Sequence, residues 1–439
     1  MSKPFSVVIG NLSKTGATAV AMSLTNGNIT LTIAGKSYTI TMSACGADRG
    51  TNDVSGSVIL GYAGSVNITF PLPFTVYLWT ATQGANTDSG SIRSAPTFGD
   101  DFALAFTTCF DHSASTRNDI TGWDFAEHYR KHGALPLIGI LHSDDIYYAD
   151  GASLHAGWSG ANGKTTLASI GDTADRTQYD FALVYGGFFG ICGPVNGNFM
   201  DAAYSPSFRS LLSNAAFEPQ LGDRDFINNL GWSGGMALST VPNPYHKTAN
   251  GYDGNGLVVW NQLMAPLQGT RARNRDTHAN HWYADFGCLR YIAADPTTNA
   301  VNGVSALGNN QIDDLLDVVN GNQWFTVVTL ASIAGRGYPT YSAAHPGSGY
   351  KDENFIQSEY DRLYLNTGQT PKALMDNPRT NGTMGNLVIV RGDWHGAASF
   401  YWKAPAATGK TAESFHEIGM CTVNYAQGGG TVVITDPSA

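Results

Sequence analysis

The chain has 439 residues, of which 42% are hydrophobic and only 14% are charged, so it is able to bury a sizeable core and is not disordered by composition. Its formal net charge of −10 argues against a general nucleic-acid-binding protein, which would need a basic face. No apolar run reaches the roughly 18 residues of a membrane span, and the five cysteines form no CxxC pair that would indicate a structural zinc site.

The first 98 residues are rich in predicted strands. Residues 28–42 alternate apolar and polar side chains on either side of a turn that contains Gly35, which is the pattern of a β-hairpin. Residues 65–70 and 74–79 continue this pattern, and no helical periodicity occurs before residue 98. We therefore predict a small all-β sandwich domain over residues 1–98.

From about residue 100 the predicted strands alternate with helices. Residues 102–109 and 135–142 form short apolar strands, and the helix predicted between them spans residues 121–133. The side chains at helical spacing are Trp123, Phe125, Ala126 and Tyr129. A strand–helix–strand unit of this kind predicts a parallel crossover.

The same alternation continues in the C-terminal half. Residues 307–321 predict an amphipathic helix that leads into a strand at 324–330, and residues 386–392, NLVIVRG, predict the last core strand. We expect an α/β domain over residues 99–439, with long loops between its elements.

Polar side chains follow the ends of these predicted strands. They are Cys109, Asp144, Tyr147, Asp223, Asp295, Asp393 and His395. One aspartate at a strand end is usually a turn former. However, α/β sheets bind ligands outside the carboxyl ends of their strands, and several acids gathered there need a counter-charge such as a multivalent metal.

Five motifs, in this order, resemble those of the PhoD-type alkaline phosphatases and phosphodiesterases, a branch of the calcineurin-like metallophosphoesterases. FTTC at 106–109 resembles the family's FASC, SDDIYYAD at 143–150 its GDxIYxD, and GDRDFINN at 222–229 its DDHExxNN. LGNNQIDDLL at 307–316 resembles LGxxQxxWL, with Asp314 in place of Trp, and GDWH at 392–395 resembles GDVH. The resemblance covers nearly the whole chain.

The resemblance implies both a fold and a metal site. The fold is an α/β metallophosphoesterase-like layered sandwich domain preceded by a small all-β, fibronectin III-like sandwich. The implied ligands are Cys109, Tyr147 and His395 for iron, Asp223 and Asp393 for calcium, and Asp144 as a bridge between the two metals. Thiolate and phenolate suit an oxidised iron, and carboxylates suit calcium, although other divalent metals would also fit.

The implied activity is that of a metal-dependent phosphoric ester hydrolase, acting on phosphomonoesters or phosphodiesters by attack of a metal-bound hydroxide. Arg224 stands where the family has a catalytic His. Arginine stays protonated and cannot act as a general acid, but it can bind a phosphate through two hydrogen bonds. Two smaller departures, Ser143 for Gly and Asp225 for Glu, point the same way and weaken the prediction of catalysis.

Two further groups of cations have alternative interpretations. Arg271, Arg273, Arg275, His278 and His281 cluster before a predicted strand; Arg273 and Arg275 are candidate substrate-binding residues, or the segment is a solvated loop with acidic partners. His128 and His132 are spaced to hold a metal, but cations at a helix C-terminus are more simply explained by the macrodipole.

Two functions remain open from the sequence. The first is the phosphoesterase, with a phosphate ester as substrate and Asp144 and Arg224 as catalytic residues. The alternative is a non-catalytic or weakly catalytic protein with a structural role, for example a virion component with assembly partners. Because no secretory signal is recognisable, we expect a cytoplasmic or virion-associated location, or an extracellular one if the chain is already processed.

Overall fold

The computed structural model describes the chain in eleven stretches and at four single positions. The stretches are residues 4–45, 61–108, 122–143, 206–222, 255–270, 280–295, 309–319, 325–330, 387–391, 398–403 and 414–419, and the single positions are Ile146, Tyr185, Phe188 and Phe189.

These residues form strands grouped in four sheets and a smaller number of helices. The strands of the N-terminal part are β1 (Phe5–Gly10), β2 (Gly16–Ser23), β3 (Ile29–Ile33), β4 (Lys36–Ile40), β5 (Ser43–Cys45), β6 (Gly61–Thr69), β7 (Val76–Gln83) and β8 (Asn86–Arg93). The later strands are β9 (Ala103–Thr107), β10 (Leu137–His142), β11 (Ala216–Pro219), β12 (Trp282–Phe286), β13 (Leu289–Ala293), β14 (Phe325–Leu330), β15 (Leu387–Arg391), β16 (Ala398–Lys403) and β17 (Ser414–Gly419). The helices are α1 (Gly122–His132), α2 (Pro206–Asn214), α3 (Asn255–Leu263), a 3₁₀ turn (Ala265–Leu267) and α4 (Asn309–Val319).

The N-terminal strands form two antiparallel sheets. Sheet A has the order β1-β2-β6-β5, and sheet B has the order β4-β3-β7-β8. The predicted hairpin is confirmed as β3 and β4, whose register pairs Ile33 with Lys36. The two residues between the strands, Ala34 and Gly35, both have positive φ, 52° and 74°, which matches the right-handed twist of a tight hairpin.

Strands β1 and β2 of sheet A are buried on both faces, which explains why they are apolar along nearly their whole length. Phe5, Val7 and Ile9 belong to a hydrophobic cluster that includes the inward side chains of sheet B. On the opposite face, Val8 and Val20 belong to a second cluster, built with residues of the later helices and of β11. The N-terminal sheets therefore share their core with the rest of the chain.

The later strands form two sheets whose central strands are parallel. Sheet C has the order β11-β10-β9, with both pairs parallel. Sheet D has the order β12-β13-β14-β15-β17-β16, in which β13, β14, β15 and β17 are parallel and the edge strands β12 and β16 are antiparallel. The predicted parallel pairing of the strands on either side of α1 is confirmed by the β9–β10 register.

The predicted strand at residues 386–392 is confirmed as β15, but the prediction that it is the last core strand is wrong. β15 lies between β14 and β17, so a further parallel strand follows it along the sheet. The sequence of β17, SFHEIG, contains a histidine and a glutamate, and it therefore lacks the continuous apolar run that marked the other core strands.

Helix α1 matches its predicted limits within one residue but not its predicted buried face. Trp123 is buried and packs against Phe208 of α2, with ring centroids 4.3 Å apart. Phe125, expected on the same face, is 69% exposed. The buried position one turn after Trp123 is instead occupied by Glu127, whose carboxylate accepts hydrogen bonds from Arg130 and from Ser210 of α2.

Among the helices that the structure describes, none is long and apolar enough to cross a membrane.

Candidate functional site

In the sequence, the predicted metal ligands come shortly after the carboxyl ends of parallel strands. In sheet C, β9 ends at Thr107, two positions before Cys109, and β10 ends at His142, two positions before Asp144. In sheet D, β15 ends at Arg391, two positions before Asp393. Parallel strands bring their carboxyl ends to one edge of a sheet, so these chain positions follow the same edge of each sheet.

The predicted site residues themselves lie outside the described residues. They are Cys109, Asp144, Tyr147, Asp223, Arg224, Arg273, Arg275, Asp393 and His395. Within the described part of the chain, no three His, Cys, Asp or Glu side chains come together as a metal-binding group.

Gln220 joins the carboxyl edges of sheets C and D. It follows β11, and its backbone N–H donates to the carbonyl of His142 at the end of β10, at 2.7 Å. Its side chain is buried and crosses to sheet D, where Nε2 donates to the carbonyl of Ala294 just after β13. Its Oε1 accepts from Thr329 Oγ1 of β14 at 2.6 Å. Through its backbone and its side chain, Gln220 therefore fixes the ends of four parallel strands, β10, β11, β13 and β14, relative to one another.

The end of β10 carries further buried polar groups. His142 is buried, its Nδ1 lies 2.8 Å from Thr107 Oγ1 of β9, and its ring stacks between Trp123 and Phe217 with centroids 5.8 and 5.9 Å away. The next residue, Ser143, is fully buried, and its hydroxyl makes no hydrogen bond within the described residues. A buried polar atom without a protein partner marks a place where water or a ligand would be stabilising.

A second polar group lies at the carboxyl end of β13. The Asp295 backbone N–H donates to Gln311 Oε1 of α4 at 2.7 Å, and Gln311 Nε2 donates back to the Asp295 carbonyl at 2.8 Å. The Asp295 carboxylate accepts from the Asn280 backbone N–H at 2.6 Å. These reciprocal hydrogen bonds fix the start of α4 against the end of β13.

His281 and Asp314 extend this group. Both are almost fully buried, and His281 Nε2 lies 3.2 Å from Asp314 Oδ2. Asp314 occupies the position at which the LGxxQxxWL motif has a tryptophan. In the structure its carboxylate lies next to His281. Asp295, His281 and Asp314 come from separate parts of the sequence pattern, and in the structure they lie in one buried polar group at the end of β13.

Two buried groups between the sheets have raised pKa values. Burial raises the pKa of Glu218 in β11 to about 8, although its carboxylate accepts backbone hydrogen bonds from Leu12 and Asn11 that lower it. Burial also raises the pKa of Tyr291 in β13, whose hydroxyl lies 2.7 Å from Thr329 Oγ1. Both groups are therefore neutral at neutral pH in the folded protein.

Sequence reasoning did not identify Gln220 or His142 as part of this edge, and it noted Ser143 only as a departure from the family's motif. His142 and Gln220 each lie within three positions of a predicted ligand, Asp144 or Asp223. A polar side chain inside an apolar strand, such as His142 in LIGILH, could have indicated this edge of the sheet, but a search for acidic residues at strand ends does not find it.

Compared with known proteins, the chain matches no family model and no curated protein.

Proposed function

We propose that the chain is a metal-dependent phosphoric ester hydrolase with an α/β metallophosphoesterase-like layered sandwich domain and an N-terminal all-β sandwich. Its site would lie at the common carboxyl edge of sheets C and D. The observation that carries the proposal is the cross-link made by Gln220. Two of the strands that it joins, β10 and β11, lead into Asp144 and Asp223. A third, β14, pairs with β15, and β15 leads into Asp393.

The donor set fits the two metals that the resemblance implies. Cys109, Tyr147 and His395 would hold iron, Asp223 and Asp393 would hold calcium, and Asp144 would bridge them. The buried Ser143 hydroxyl, directly before Asp144, supports a polar ligand or water at this edge. The two metals would supply positive charge at the transferring phosphoryl group and an activated water.

The chain's own residues would bind and orient the substrate. Arg224 follows Asp223 directly, and a guanidinium donates two parallel hydrogen bonds to a phosphate. Arg273 and Arg275 would add positive charge for the anionic substrate. Arg224 cannot protonate a leaving group. We therefore expect aryl esters, which have good leaving groups, to be better substrates than alkyl esters.

The test is hydrolysis of an aryl phosphomonoester and an aryl phosphodiester by the full chain after loading with iron and calcium. Asp144→Asn should lower kcat/KM by more than about 100-fold, since a bridging carboxylate serves both metals. Elemental analysis separates the two sites, because Cys109→Ser should reduce bound iron and Asp393→Asn should reduce bound calcium.

The matched control is Asp101→Asn. Asp101 is exposed and precedes β9 at the amino end of sheet C, so the same substitution there should leave kcat/KM and metal content unchanged. If Asp144→Asn hydrolyses both esters as fast as the native chain, the mechanism is wrong. If the native chain binds both metals and hydrolyses neither ester, the non-catalytic alternative that Arg224 raises is favoured.

A further inference from the structure

Helix α1 presents two histidines on its exposed side. His128 and His132 are both exposed and lie one helical turn apart. Their imidazole ring centroids are 4.8 Å apart, with an angle of 48° between the ring planes. Neither residue belongs to the strand ends at which the phosphoesterase site is proposed.

This separation is compatible with a shared metal ion. An ion about 2.0–2.1 Å from one nitrogen of each ring, at a ligand–metal–ligand angle of about 90–110°, places two imidazole centroids roughly 4.5–5.2 Å apart. Residues at i and i+4 of a helix are neighbours on its surface, so the backbone holds the rings at this spacing. The buried Trp123 side chain anchors the helix that carries them.

The charges around the pair also suit a cation. α1 ends at His132, where the partial negative charge of the helix dipole favours positive charge. The two basic neighbours, Arg130 and Lys131, are both engaged with the Glu127 carboxylate at 2.6 and 3.0 Å. Burial raises the pKa of Glu127, but the hydrogen bonds from Arg130, Ser210 and Lys131 outweigh it and lower the pKa to about 2. The carboxylate thus stays ionised and offsets part of the positive charge of these two cations over the working pH range.

The pair borders a groove through which a hydrated ion reaches it. The groove has a volume of about 720 Å³, and its lining in the described part of the chain includes both histidines together with Phe125, Tyr129 and Leu137. These neighbours are apolar or aromatic, so neither a carboxylate nor a second cation from them competes for the imidazole nitrogens.

We propose that His128 and His132 form a bidentate surface site for a divalent transition-metal ion of the Zn²⁺, Ni²⁺ or Cu²⁺ class. Neutral imidazole suits these ions and not Ca²⁺ or Mg²⁺, which prefer oxygen ligands. Water completes the coordination shell on the groove side. The helix dipole, by which the sequence alone explains these two histidines, also favours the proposed site, because the field that stabilises a protonated imidazole stabilises a bound dication as well.

The experiment measures Cu²⁺ and Zn²⁺ binding to the full chain in an Asp144→Asn, Cys109→Ser background, which removes two of the six proposed iron and calcium ligands, and each histidine variant is compared with this background. Loss of one ring should weaken binding by roughly 100-fold, because the second imidazole then no longer acts at high effective concentration. His128→Asn and His132→Asn should each show this loss, whereas Lys131→Gln, an exposed neighbour on the same helix, should not.

A further readout identifies the ligands directly. The electron paramagnetic resonance spectrum of bound Cu²⁺ should show coupling to two equivalent nitrogens in the native helix and to one in either variant.

The proposal is overturned if the native helix and both histidine variants bind Cu²⁺ equally, or if the copper spectrum shows a single nitrogen. It is also overturned if one variant alone abolishes binding while the other leaves it intact, since a chelate needs both rings.

Discussion

At the scale of single residues, Glu218 makes the stability of the fold depend on pH. Its side chain is fully buried in β11, and Oε1 accepts the Leu12 backbone N–H at 2.7 Å. Burial raises its pKa to about 8 in the folded protein, against 4.5 for the ordinary group. Between these two values the folded chain holds a proton that the unfolded chain has released, so stability falls as the pH rises through that window.

We therefore predict that the free energy of unfolding decreases from about pH 4.5 to 8 by about 1.4 kcal/mol per pH unit from this group, and levels off above pH 8. Glu218→Gln keeps an oxygen for the Leu12 N–H and cannot ionise, so its contribution to the slope should vanish. Urea unfolding at several pH values measures this.

The control for this prediction is Glu127→Gln. The pKa of Glu127 is lowered to about 2, so its stabilisation is lost only as the pH falls through the acidic range below about 4.5. Glu127→Gln should leave the slope between pH 5 and 8 unchanged. An equal slope in the native chain and in Glu218→Gln would show that Glu218 is already ionised in the folded state.

At the scale of elements, the hydrogen bonds of Gln220 hold two sheets together at the edge where the site is proposed. Gln220→Ala removes the side-chain donor to the Ala294 carbonyl and one partner of Thr329 Oγ1, which keeps its contact with the Tyr291 hydroxyl. A buried polar group left without a partner lowers stability by about 1–3 kcal/mol, so we expect a loss of about this size. We also expect lower kcat and metal content, because the strand ends shift relative to one another.

The control is Gln83→Ala. Gln83 is likewise buried, and its side chain bonds Ser23 and the carbonyls of Thr25 and Gly27 within the N-terminal sheets. It should reduce the free energy of unfolding to a similar extent but leave kcat and metal content of the folded protein unchanged. If Gln220→Ala alters stability alone, as Gln83→Ala does, the cross-link does not position the site.

The elements that sequence predicted correctly are those whose signal is local. The β3–β4 hairpin follows from alternation and a glycine turn, and β10 from an apolar run that parallel strands need on both faces. Phe125 and Gln220 show what a local pattern leaves out. Phe125 is exposed because, two positions after the buried Trp123, it lies on the opposite face of α1. The role of Gln220 depends on Thr329, 109 positions away.

At the scale of the whole molecule, the N-terminal sheets and the α/β part depend on one another. Sheet A inserts Val8, Val20 and Met22 into the cluster that also contains Phe217 and Leu267. Burying each of three such side chains stabilises the fold by about 1.5–3 kcal/mol, and their sum approaches the 5–15 kcal/mol that holds a typical domain folded. The boundary near residue 98 divides the sequence pattern but not the hydrophobic core.

Contacts of the main chain strengthen the same interface. The Cβ of any side chain at Gly10 would lie 2.2 Å from the carbonyl oxygen of Phe217, so only glycine permits this approach of β1 to β11. Next to it, the Asn11 N–H donates to the Leu267 carbonyl at 2.6 Å. On the other side, Trp79 Nε1 donates to the Ser213 carbonyl at the end of α2, at 3.2 Å.

We predict that the full chain unfolds in a single calorimetric transition and that a fragment of residues 99–439 lacks a cooperative one, because removing sheet A exposes Phe217 and Leu267. Val8→Ala should lower the midpoint of the full chain, since Val8 is fully buried between the two parts. Leu78→Ala is the matched control: Leu78 is 77% exposed on sheet B, and its truncation should change stability by less than about 0.5 kcal/mol. Two separate transitions, with only the first shifted by Val8→Ala, would mean that the N-terminal sheets fold independently, and the shared core would then contribute packing without cooperativity.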